Sequence, residues 1–287
     1  MRGIALIAAG LATLAAAAIA GPAAFAGGKP REGDEREGVS RADLRGVNFV
    51  ENCRFSHRAD DDPIVFSGQP GASHNHSFVG NRTTNAFSTF GSLVSASTTC
   101  ARAADTAAYW VPTLYDGTNA VEPQGATIYY RRGTFAPLRT FPNDLRMIAG
   151  DAKATSPQDM RITFWNCGLN GGVRPSSTVP TCPDVRGSFL RLHTRFPNCW
   201  DGRRTDSADH KSHMAYSIRG ACPSSHPVEV PAIELIIRYR TLGGDGFSLS
   251  SGGQYSAHAD FLNAWRPSEL RKLVEGCLNG LVRCGRG

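Results

Sequence analysis

The sequence predicts an all-β fold, mainly an antiparallel sandwich or jelly roll, with long loops, few short helices and one helix near the C-terminus. Its apolar segments are short and rich in β-branched and aromatic residues. Turn formers bound them, drawn from 31 glycines and 17 prolines in 287 residues. No amphipathic helical pattern separates successive segments, which argues against an α/β arrangement.

The elements follow in chain order. Residues 1–26 read as a cleavable secretory signal: Met1-Arg2 start it, Ile4 to Ala20 form an apolar run, Gly21-Pro22 break it, and Ala24-Phe25-Ala26 supplies small residues at the cleavage positions. The competing reading is an uncleaved anchor, since the run lies at the lower limit for crossing a bilayer. Cleavage leaves a mature chain beginning near Gly27 with no later membrane span. Residues 27–46 are polar and charged and read as a flexible spacer, because they bury too little apolar surface to offset their ordering entropy. Residues 47–287 read as a single domain.

Within it, Thr127 to Tyr130, Arg161 to Trp165, Ser188 to His193 and Glu234 to Tyr239 are expected strands. A short helix is expected within Thr84–Thr98. A longer one is expected over Ser268–Leu281, with Ser268 as N-cap and Leu270, Leu273, Val274, Cys277, Leu278 and Leu281 on one face.

All eight cysteines lie beyond the leader, and an even count in an exported chain implies a disulfide framework. The expectation is nearest-neighbour pairing: Cys53 with Cys100, Cys167 with Cys182, Cys199 with Cys222, and Cys277 with Cys284. A cysteine zinc site is disfavoured because no C-x-x-C occurs. The formal charge of +6 is spread among interleaved acids and bases, as in Asp34-Glu35-Arg36-Glu37, so no clustered nucleic-acid footprint is present.

Three stretches carry chemistry. In Ser73-His74-Asn75-His76, residues two apart on an extended strand face one side, so His74 and His76 present both imidazoles to one site, suited to a metal or a polar cleft. Between Cys199 and Tyr216 lie Asp201, Asp206, Asp209, His210 and His213, beside an expected disulfide that can hold loops rigid. His210 and His213 would share a face if that segment were helical. In Ser256-Ala257-His258-Ala259-Asp260, His258 and Asp260 alternate onto one face, where the aspartate can orient the histidine as a base or a ligand. For each stretch the competing reading is structural: solvated or backbone-bonded polar groups, and aspartates that cap turns.

These stretches together resemble the family of uncharacterised function labelled DUF1996. The resemblance is carried by His57 through Gly80, Phe196-Pro197-Asn198-Cys199-Trp200-Asp201-Gly202, Asp209-His210-Lys211-Ser212-His213, Cys222-Pro223-Ser224-Ser225-His226-Pro227, and Gly253 through Trp265. It covers about Asn48 to Trp265. It implies an exported protein of the kind found in actinobacteria and fungi, the fungal members often joined to a carbohydrate-binding WSC module. It implies no activity. No such module is seen in this chain, so any glycan targeting is expected from the domain itself. The alanine-rich leader and Arg/Gly-rich composition resemble those of high-GC actinobacteria.

Two function classes follow. The first is a secreted hydrolase acting on extracellular or cell-wall polysaccharide. Its catalytic candidates are Asp201, Asp206, Asp209, His210, His258 and Asp260, with Trp200, Tyr216 and Trp265 as faces for sugar rings. A metal-assisted version holds a divalent metal with His74, His76, His213 and His258, leaving a position open for water. The second is a non-catalytic carbohydrate- or wall-binding protein, which has no need of clustered carboxylates and histidines. Serine hydrolase and nucleotide-binding chemistry find no support, for want of G-x-S-x-G, G-x-G-x-x-G or a Walker loop.

Overall fold

Two of the expected strands, extended to Pro123–Arg131 and Ala232–Tyr239, lie side by side at the centre of a six-stranded sheet. The computed structural model describes residues 39–168 and 172–286. Across that first sheet the order is Arg283–Arg286, Asn48–Cys53, Pro123–Arg131, Ala232–Tyr239, Arg191–Arg195 and Thr163–Asn166. Every pairing is antiparallel except Arg283–Arg286 against Asn48–Cys53. A second, wholly antiparallel sheet runs Phe55–Ala59, His76–Gly80, Ala108–Pro112, His258–Leu262 and Arg146–Gly150.

The two sheets face each other as a sandwich because alternate residues of each are apolar. Phe49, Ile128, Tyr130, Leu192, Leu235 and Ile237 from the first sheet share one core with Val79, Tyr109, Val111, Met147, Ala149 and Phe261 from the second. The chain passes between sheets at Cys53-Arg54. There Gly125 (φ +141°) lies so close that a Cβ would sit 2.5 Å from the Cys53 carbonyl oxygen. The Cys53–Cys100 bridge ties the same corner. All four disulfides follow nearest-neighbour pairing, as suits an extracellular protein.

The second sheet's outer face is covered by its own loops. Ile64 and Leu93 pack there on Phe78, Ala108, Trp110 and Leu262, forming a smaller core separate from the sandwich interior. These covering loops build the candidate site.

Several expectations move. Ser188 to His193 is a strand only from Arg191, since Ser188 closes a turn onto the Val185 carbonyl. Arg161 to Trp165 becomes Thr163–Asn166, because the Asp159 side chain accepts the Arg161 N–H and holds that residue in a turn. The short helix expected within Thr84–Thr98 is found there as Phe90–Leu93, opened by a Thr89/Ser92 capping box. Near the C-terminus Pro267–Leu273 is helical, but Pro267 takes the first helical position and Arg266, not Ser268, is the N-cap. The helix then widens into a π-helical turn over Val274–Asn279. Leu270, Val274, Cys277 and Leu278 face inward, whereas Leu281, in the left-handed region, is 36 % exposed. The leader and most of the spacer lie outside the described residues. Among the described residues, no helix is long and apolar enough to cross a membrane.

Candidate metal centre

His76 opens one strand of the second sheet and His258 opens another, with the Ala108–Pro112 strand between them. His76 pairs with Pro112 and Asp260 pairs with Trp110, so His76, Trp110, His258 and Asp260 all stand on the outer face. The two histidine backbones are about two strand spacings, ~10 Å, apart. Their rings lean toward each other over Pro112, to a centroid separation of 5.8 Å.

His74 completes the group. Its ring lies 4.2 Å from that of His76 and 5.1 Å from that of His258. The reason is local: Asn75 is turned the other way and pinned. Its carbonyl accepts from Thr113 N–H (2.9 Å) and Ser250 Oγ (2.5 Å), its Oδ1 from Thr113 Oγ1 (2.7 Å), and its Nδ2 donates to Asp60 (2.8 Å). With the Asn75 side chain fixed on the opposite face, alternation brings both flanking imidazoles to the outer face, where His258 also stands. The neighbouring acids serve the same loop: Asp61 accepts from Gly71 and Ala86 N–H, and Asp62 from Ile64 and Val65 N–H.

The three histidines bring one ring nitrogen each to within 4.8 Å of one another. His76 Nδ1 lies 3.0 Å from the Asp61 carbonyl and His258 Nδ1 lies 2.9 Å from the Ser256 carbonyl. A carbonyl only accepts, so both Nδ1 atoms carry the proton and both Nε2 atoms present lone pairs. Among the described residues, His74 Nε2 and His76 Nε2 are buried without a hydrogen-bond partner, as are Asp260 Oδ2 and Trp110 Nε1. Asp260 Oδ2 is 3.8 Å from His258 Nε2.

Burial sets the charges. It lowers His76 well below the ordinary imidazole range, an effect deepened by the two neighbouring rings, and lowers His258 to about 4. It lowers His74 as well. All three are therefore neutral, the form that binds metal. Burial, with the nearby Asp62 charge, raises Asp260 well above the usual carboxylate range. A cation between these groups would reverse that shift. Imidazole nitrogens about 2.0–2.1 Å from zinc, or at similar lengths from other first-row divalent ions, fit this spacing after small rotations of the rings.

The remaining candidates are placed elsewhere. His213 does not join the other three histidines: its Nε2 contacts the Arg146 carbonyl (2.6 Å) and its Nδ1 contacts Ser207 Oγ (2.9 Å). Arg146 and Gly150, the partner of His258, lie at opposite ends of one strand, about 13 Å apart. His210, in a left-handed turn rather than a helix, bonds Asp206 (3.0 Å), and Asp206 lies 3.8 Å from Arg146. Asp201 accepts from the Arg203 and Arg204 N–H groups and from Arg204 Nε. Asp209 accepts from Ser207 Oγ and from the Lys211 and Ser212 N–H groups, which hold it well below the usual carboxylate range. These three aspartates tie loops.

Trp265, expected to offer a sugar-binding face, is 1 % exposed in the core and donates to the Tyr130 hydroxyl (2.9 Å). Trp200 is half-buried and donates to the Arg204 carbonyl (2.6 Å). Tyr216, 38 % exposed, lines a cleft of about 250 Å³ with Ile148, Gly150, Lys211 and Met214.

Sequence reasoning missed Trp110 and Lys211. Lys211 Nζ donates to the Gly150 carbonyl (2.7 Å), which fastens the Asp206–His213 loop beside the histidines. Nothing in a lone lysine within a charged loop signals this. Trp110 reads as any core aromatic.

Residues 62–265 match a family model described as a domain of unknown function, DUF1996, a span that contains all three histidines and Asp260. No curated protein and no solved structure matches the chain.

Proposed function

The chain belongs to the DUF1996 family, whose description assigns no function, and from that premise we propose that it is an exported, metal-assisted hydrolase acting on extracellular or cell-wall glycan. The observation that carries this reading is the convergence of His74, His76 and His258 beside Asp260, with His74 Nε2, His76 Nε2 and Asp260 Oδ2 buried and without a hydrogen-bond partner among the described residues. Leaving a buried polar atom unpaired costs about 1–3 kcal/mol. Several such atoms in one place make sense as ligands waiting for a common partner.

Three imidazoles with a further position open is the pattern of a hydrolytic rather than a structural site. A divalent metal held there supplies Lewis acidity toward water or a substrate oxygen. The Asp61 and Ser256 carbonyls fix the tautomers of His76 and His258 and the orientation of their rings. With such an ion in place Asp260 would be the carboxylate available as base toward water, and its strand partner Trp110 stands on the same face. His74 is the least buried of the three, so substrate would have to approach from its side.

Two features favour glycan as the substrate class. Tyr216 offers an exposed ring in a cleft shared with Gly150, the strand partner of His258. The four disulfides suit work outside the cell. A purely carboxylate mechanism is disfavoured, since Asp201, Asp206 and Asp209 are committed to loop contacts.

The test is release of reducing ends from wall polysaccharide by the mature chain, before and after chelation. Release that stops on chelation and in His74→Ala/His76→Ala is the expected result. Retention of the polysaccharide without release, in the metal-loaded protein, would show a binding protein instead.

A further inference from the structure

Three of the motifs that mark the family meet at a second place, away from the histidines. Asp201 to Arg204 follows one motif, Ser212 belongs to another, and Ser224-Ser225-His226-Pro227 is the third; together they line a cleft of about 630 Å³. The Cys199–Cys222 bridge joins the first of these segments to the last. His226 joins the last to the second, donating from Nε2 to the Ser212 carbonyl (3.0 Å). That bond leaves Nδ1 as an acceptor, and Ser225 Oγ, 2.9 Å away, donates to it.

The charge balance of this cleft is positive. Its one carboxylate, Asp201, is spent: Oδ1 takes two backbone N–H groups and Oδ2 takes Arg204 Nε. Arg204 is thereby matched, and among the described residues the exposed Arg203 guanidinium has no carboxylate partner. Ser212 and Ser224 line the same walls, the Ser212 side chain being bonded to Asp209. A guanidinium fork matches the paired oxygens of a phosphate or a carboxylate in both geometry and charge, an advantage that an uncharged sugar does not share.

We propose that this cleft binds an oxyanion group, a phosphate or a carboxylate, carried by a polymeric substrate. For the polymer's identity the inference rests on the glycan reading above, which it deepens to an acidic glycan; the affinity for an oxyanion stands apart from it. The loop Asp206–His213 lies between the two places, with Lys211 on the Gly150 carbonyl beside His258 and Ser212 in the cleft. An anion seated here would hold a chain against the loop that reaches the Gly150 carbonyl beside His258.

Calorimetric titration of the metal-bearing mature chain tests this, with inorganic phosphate, an oligogalacturonate and a neutral cello-oligosaccharide as probes. One or both anions should bind in preference to the neutral sugar, and Arg203→Glu should weaken binding about tenfold or more, the worth of a charge-assisted hydrogen bond. Ser224→Ala, which removes a single wall hydroxyl, should weaken it less. Phosphate alone would point to a phosphate-bearing polymer, and galacturonate alone to a uronic-acid polymer. No preference for anions, or anion binding untouched by Arg203→Glu, would overturn the proposal. Metal content measured on the same samples separates the two readings: a chain without metal that still binds anions through Arg203 would sink the hydrolase and spare the cleft.

Discussion

Asp260 and His258 share a face because residues two apart along a strand return to the same side. The sequence shows that much, and likewise for His74 and His76. What it does not show is that the two pairs meet, which depends on the Ala108–Pro112 strand entering between theirs. Nor does it separate Asp260, with one oxygen unpartnered among the described residues, from Asp201, both of whose oxygens are engaged, and Asp209, whose Oδ1 accepts three bonds in a turn. A dense run of titratable groups looks the same whether it ties a loop or does chemistry. The role given to Asp260 yields a prediction at this scale. Asp260→Asn keeps the shape and the three imidazoles, so it should retain metal while turnover falls by about 10²–10⁴, the contribution of a positioned general base. Loss of metal together with activity would make Asp260 a ligand instead.

At the scale of elements, the site depends on how closely strands and loops approach. Gly150 faces His258 across the strand pair at φ +85°. A Cβ there would lie 2.5 Å from the Ala257 carbonyl oxygen and 2.9 Å from His258 Cα. Gly150→Ala must therefore push the His258 strand away or strain its own backbone, and should cost about 1–3 kcal/mol. Metal affinity should fall with it, measured by chelator competition against denaturant unfolding of the same variant. An unchanged affinity would show that this approach does not position His258. The strands themselves were legible where alternation and turn residues agree, as in Pro123–Arg131 and Ala232–Tyr239. The short helix expected within Thr84–Thr98 is present as Phe90–Leu93, and it stays at one turn because Asn85 and Thr89 divert the chain into turns and a cap that compete with helical hydrogen bonds. Trp265 was misread because an aromatic with a polar edge serves a core as readily as a sugar platform.

For the whole molecule, the first sheet carries an ion cluster that couples stability to pH. Glu234, 6 % exposed, takes a hydrogen bond from His193 Nδ1 (3.2 Å) and faces Arg131 (2.5 Å) and Arg195 (3.2 Å). Burial alone would raise its pKa, but the His193 hydrogen bond and the two guanidinium charges outweigh burial and lower it from 4.5 to about 2. A carboxylate with a lowered folded-state pKa contributes stability above its unfolded value, and that stability is lost as pH falls through the folded one. The contribution is at most about 3 kcal/mol near neutrality and should disappear between pH ~4.5 and ~2. Glu234→Gln should be less stable than the parent at pH 7 and converge with it near pH 2 in denaturant unfolding. Curves that stay parallel across that range would remove Glu234 from the pH response.

The metal content of the purified mature domain, Gly27 to Gly287, measured beside His74→Ala/His76→Ala, tests the central claim most directly. Stoichiometric first-row metal in the parent, absent from a variant that keeps its circular dichroism and its disulfides, is the predicted result. A parent that neither retains nor takes up such a metal would contradict it, and would leave three converging imidazoles to be explained as structure alone.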